Sequence, residues 1–138
     1  LESATLGFYS RPVCSNCEMS ETIGFYGVAV PWTSTEANWA QASMTASWDE
    51  PGMSTLDRDA LATATLVYET LDDADVGTVD LTPLVESWVA YLNDPLTGRP
   101  NHGVAFLQDD ELSTDFHSVD ASDPAQVPYL ELVWVEQP

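Results

Sequence analysis

Apolar residues recur at every second position along much of this chain, and at three- and four-residue spacing in one segment only. A period of two sends successive side chains to opposite faces of a strand, whereas a period near 3.6 gathers them on one side of a helix. Residues 61–69 show the first pattern clearly. Ala62, Ala64, Leu66 and Tyr68 fall on one face, and Leu61, Thr63, Thr65 and Val67 on the other. Segments 4–9, 22–30, 104–107, 116–119 and 129–135, set apart by Pro, Gly, Asn and Asp clusters, predict further strands. Leu6 and Phe8 share a face of the first of these, and Leu130, Leu132 and Trp134 share a face of the last. Residues 31–52 read as an irregular stretch.

The exception is the run Leu84, Val85, Trp88, Val89 and Leu92, which predicts an amphipathic helix over residues 82–92. Thr82 is the expected N-cap and Pro83 the first helical residue, and Asn93-Asp94-Pro95 stops the helix. Six or more strands with one helix in 138 residues point to a mainly all-β chain. The expectation is a single antiparallel β-sandwich module, with the helix covering one end or edge.

Charge restricts the partners. Twenty-three Asp and Glu face three Arg (Arg11, Arg58 and Arg99) and no Lys, a formal net charge of −20. Nucleic-acid binding needs cationic side chains to neutralise phosphates, so that class is excluded, and anionic membrane surfaces are disfavoured for the same reason. No run of eighteen apolar residues exists, so no insertion into a membrane is expected. Three readings of the acidity stay open: a solvated surface, adaptation to high salt, and Ca²⁺ bound by carboxylates. The candidate Ca²⁺ ligands are two clusters, Asp72, Asp73 and Asp75, then Asp109, Asp110, Glu111 and Asp115. Neither has the spacing of an EF-hand loop.

Cys14 and Cys17 make a lone Cys-Ser-Asn-Cys pair in loop-like sequence. A redox motif would need a βαβ setting, and zinc would need two further ligands. His102 and His117, fifteen residues apart, do not supply them. A disulfide closing a small loop is the preferred reading, and it implies an oxidising, extracellular setting. No G-x-S-x-G elbow, H-E-x-x-H pair or phosphate loop is present, so the chain is expected not to be an enzyme.

Several motifs occur in a familiar order. Residues 1–6 (Leu-Glu-Ser-Ala-Thr-Leu) are followed by Trp32-Thr33-Ser34-Thr35-Glu36, Asn38-Trp39 and Trp48-Asp49-Glu50-Pro51-Gly52. Then come the run from Val79 to Trp88, Asn101-His102-Gly103-Val104, Phe116-His117-Ser118 and Pro128-Tyr129-Leu130. In order and spacing the chain resembles the DNRLRE, or disaggregatase-related, extracellular β-sandwich modules, whose relatives include alginate-type carbohydrate-binding modules. The resemblance implies a jelly-roll-like sandwich in a secreted or surface protein. The name-giving DNRLRE string does not occur in the chain, so no ligand residue is transferred, and by the resemblance the module is expected to lack the family's earlier strands. By the same resemblance, residues 1–9 are expected to form an exposed sheet edge. A neighbouring copy or a partner strand would complete it.

Two functions follow as expectations. The leading one is a non-catalytic module binding a glycan or cell-surface component. The alternative is a structural subunit of a filament, sheath or surface layer that self-associates by strand pairing. Sugar recognition needs flat aromatic faces, for which Tyr9, Tyr26, Tyr91 and Tyr129 are the candidates. Trp32, Trp39, Trp48, Trp88 and Trp134 are expected in the core. A −20 chain repels polyuronates, so a specificity for alginate is not expected.

Overall fold

A computed structural model of the chain describes residues 1–11, 20–69, 76–108, 115–116 and 118–135. Among these residues it is mainly β, with three small antiparallel sheets and one α-helix. The strands are β1 (Ser3–Arg11), β2 (Ser20–Gly27), β3 (Gln41–Ser43), β4 (Ala46–Ser47) and β5 (Ala64–Glu69). They continue with β6 (Val76–Asp80), β7 (Val104–Gln108), β8 (Asp115–Phe116) and β9 (Tyr129–Val133). Helix α1 (Thr82–Asn93) lies between β6 and β7.

β1 is the centre of the first sheet. It pairs with β6 along Thr5–Tyr9, with β9 along Ser3–Gly7 and with β8 at Ser10 and Arg11. The expectation that residues 1–9 form an open edge is therefore wrong. Both sides of β1 are taken by strands from much later in the chain. β2 is the centre of the second sheet, between β5 and β7. β3 and β4 form a two-stranded hairpin inside the stretch read as irregular.

The two main sheets face each other across Phe8 on β1 and Phe25 on β2, whose ring centroids lie 5.5 Å apart. Phe106 on β7 and Phe116 on β8 complete an aromatic cluster. Ala4, Ile23, Val79, Leu81, Leu84, Val85 and Trp88 extend the same core. Helix α1 thus contributes Leu84, Val85 and Trp88 to the packing, as its spacing requires.

Two local expectations need correction. Among the described residues of the segment 116–119, Phe116 is in a strand, while Val119 and Asp120 form a turn, with Ala121 N–H bonded back to the Ser118 carbonyl. The helix is not capped by Thr82. Leu81 is the N-cap and Thr82 is already helical, because the Thr82 hydroxyl joins the opening strand instead, accepting the Ala4 N–H at 2.9 Å. Asp80 takes over the capping: its carboxylate accepts the Thr82 N–H at 2.9 Å and the Thr82 hydroxyl at 2.5 Å.

Those two hydrogen bonds, the hydroxyl first, hold the Asp80 carboxyl below its ordinary pKa. A lowered folded-state pKa stabilises the fold above the ordinary carboxylate pKa, and that gain is lost as pH falls through the lowered value. Asp80→Ala should therefore lower stability by about 1 kcal/mol near neutral pH, as loss of a cap does. The difference from wild type should be smaller at a pH below that lowered value than near neutral pH. Paired urea titrations at the two pH values check this.

Candidate functional site

The stretch 31–58 leaves β2 and is tied back at its far end. Val28 and Arg58 form an isolated antiparallel bridge, Ala29 N–H donates to the Asp57 carbonyl, and Asp59 N–H donates to the Gly27 carbonyl. Inside the loop the Asp57 side chain is buried and accepts backbone N–H groups from Asp49 and Ser54. A buried carboxylate is tolerated only with such donors, and here it serves as the hub of the turn 49–57. Nothing in the sequence pattern distinguishes Asp57 from the other acids, because its role depends on closure of the loop.

Two tryptophans of the loop have opposite fates. Trp48 is buried and donates its indole N–H to the Asn38 carbonyl at 2.8 Å. Trp39, next to Asn38, keeps 73% of its surface exposed. It is nevertheless held in place. Gly52 N–H donates to the Trp39 carbonyl at 2.8 Å, and the Trp39 ring lies over Gly52, where a Cβ would collide with it. Gly52 has φ +87° and Met53 φ +72°, a left-handed pair at the turn. For Met53 that conformation is unfavourable, and such strain collects at functional sites.

Trp39, Trp48, Gly52 and Met53 form one wall of a cleft of about 330 Å³, and Ala105, Phe106 and Leu107 of β7 form the other. Asn38 adds polarity to a mainly apolar lining. The volume lies at the low end of the ~300–1,000 Å³ typical of small-molecule sites. None of the described lining residues is titratable.

The predicted core tryptophans thus divide. Trp48 and Trp88 are buried, whereas Trp32, Trp39 and Trp134 are exposed. Trp32 lies on the surface, where its indole N–H pins the loop by donating to the His102 carbonyl at 2.5 Å. Trp134 follows a strand whose inner face no described strand of the second sheet covers.

None of the four tyrosine candidates lines the cleft. Tyr26 carries the Arg58 guanidinium on its ring at 4.1 Å, which occupies a face a sugar would need. Tyr129 lies over Gly7, and Tyr9 and Tyr91 are half-buried. Arg58 and Arg99, dispersed in sequence, meet at Asp59: Arg99 forms an ion pair with its carboxylate and Arg58 donates to its carbonyl. Both cations thus serve internal contacts.

Cys14, Cys17, Asp72, Asp73, Asp75, Asp109, Asp110, Glu111 and His117 lie outside the described residues. Of Asp115, the backbone is placed opposite Arg11. Among the described residues no group of three or more His, Cys, Asp or Glu is arranged to hold a metal, and no helix is long and apolar enough to cross a membrane. No protein-family model, curated protein or solved structure matches this chain.

Proposed function

We propose that the chain is an extracellular, non-catalytic β-sandwich module that binds a neutral glycan in the Trp39 cleft. The observation that carries the reading is Trp39 itself, a large aromatic ring left open to solvent yet seated on Gly52 beside an apolar cleft. A solvated indole held at fixed orientation loses little entropy when a sugar ring stacks on it. Trp48 and Phe106 supply apolar lining, and Asn38 adds a polar side chain to it. The described lining, apolar apart from Asn38, suits the stacking of a sugar ring. A formal charge of −20, with Arg58 and Arg99 already engaged, favours uncharged sugars over uronates.

The test is Trp39→Ala, measured by affinity electrophoresis and calorimetry on a panel of neutral and uronate polysaccharides. Wild type should be retarded by at least one neutral polysaccharide, with little dependence on salt. The variant should lose at least about tenfold in affinity, roughly 1.4 kcal/mol. Its unfolding free energy should stay within about 0.5 kcal/mol of wild type, as for other exposed sites. Equal binding by both proteins would remove the cleft from the reading.

A further inference from the structure

β9 is an edge strand that leaves apolar surface open on both faces. Its register with β1 sets Leu130 opposite Leu6 and Leu132 opposite Ala4, so these leucines share the core-facing side of the sheet. Ala4 is fully buried, yet Leu130 and Leu132 remain 42% and 41% exposed. The cause is the facing sheet, in which no described strand lies beyond β7 to cover β9. Tyr129 and Val133 are open on the opposite face, and Trp134 and Val135 prolong the apolar run past the strand. Among the described residues no strand pairs with the outer edge of β9.

The usual protections of such an edge are missing here. Residues 129–135 contain no Lys and no Pro, and the β1–β9 register runs through five pairs without a bulge. Glu131 is the one charge in that segment. In so acidic a chain, this stretch presents little to repel a like copy locally.

The pattern is self-complementary. Antiparallel pairing of β9 with itself about Leu132 places Leu132 against Leu132, Leu130 against Trp134, Glu131 against Val133 and Tyr129 against Val135. Apolar cross-strand pairs of this kind stabilise a sheet. The register centred one residue earlier sets Glu131 against Glu131 and is disfavoured by like-charge repulsion. Packing the six exposed apolar side chains against their cross-strand neighbours would bury at most about 500 Å² per copy, near the lower bound for a specific interface. We infer that β9 is a homodimerisation edge, through which two copies join their β6–β1–β9 sheets antiparallel about a two-fold axis at Leu132. The occupant is a second copy because one edge satisfies both partners. The interface is small and each copy carries −20, so association is reversible, and it tightens with salt as the repulsion between copies is screened.

Sedimentation velocity on the full chain, across the micromolar range at physiological and at molar ionic strength, tests this. Wild type should show a monomer–dimer equilibrium that shifts toward dimer with added salt. Leu132→Glu should weaken dimerisation at least tenfold by placing two carboxylates at the axis. Trp134→Glu lies beyond the β1 pairing and carries less risk to folding, and it should weaken dimerisation by a similar factor with an unchanged melting temperature. A wild type that stays monomeric at molar salt overturns the proposal. So does a dimer that survives both substitutions, or one that dissociates as salt is raised.

Discussion

Replacing Phe8 with alanine should lower the unfolding free energy by about 3–5 kcal/mol. Its ring is completely buried and meets Phe25 and Phe106 of the opposite sheet at centroid distances of 5.5 and 5.7 Å. It also meets Phe116 on its own sheet at 5.3 Å, nearly edge-on. The space it fills is defined by Gly77, its cross-strand partner on β6, where a Cβ would collide with the Phe8 ring. Each neighbour is anchored in its own strand ladder, so the void left by alanine can close only in part, and a cavity term adds to the lost transfer free energy. Urea unfolding with an unchanged slope is the measurement. A loss below about 1 kcal/mol would show that the two sheets do not depend on this ring.

Trp88 should behave differently when shortened than when merely reshaped. Trp88→Ala should cost about 3–5 kcal/mol, because Trp88 brings α1 into the core together with Leu84 and Val85. Trp88→Phe should cost much less, within about 1.5 kcal/mol, as aromatic bulk is retained. There is also a compensating gain. The Trp88 indole N–H is buried and meets no acceptor among the described residues, and an unmade hydrogen bond of this kind costs about 1–3 kcal/mol. Phenylalanine removes that donor. Thermal and urea unfolding of both variants give the comparison. Equal losses would mean that the indole N–H is satisfied and that its ring fills space phenylalanine cannot.

Strand β5 and helix α1 were readable because each carries its period within one short segment. Strand β6 was not. Its inward positions are Gly77 and Val79, and a glycine facing the core erases the alternation that would have marked the strand. That glycine makes sense only beside Phe8, sixty-nine positions earlier.

Sequence by itself determined the mainly β class, the one described helix, and which side of each regular strand its residues take, because those depend on neighbours two to four positions away. Tertiary structure alone decided what covers each side. Trp39 and Trp48 sit in the same loop with the same side chain, and the Asn38 carbonyl and the Gly52 turn bury one and present the other. β1 became a central strand because β6 and β9 return to it from the far half of the chain. Leu130, Leu132 and Trp134 lie on one face, as alternation requires, yet remain open because the opposite sheet has no described strand beyond β7. Periodicity orients a side chain, whereas burial depends on what a distant segment places against it.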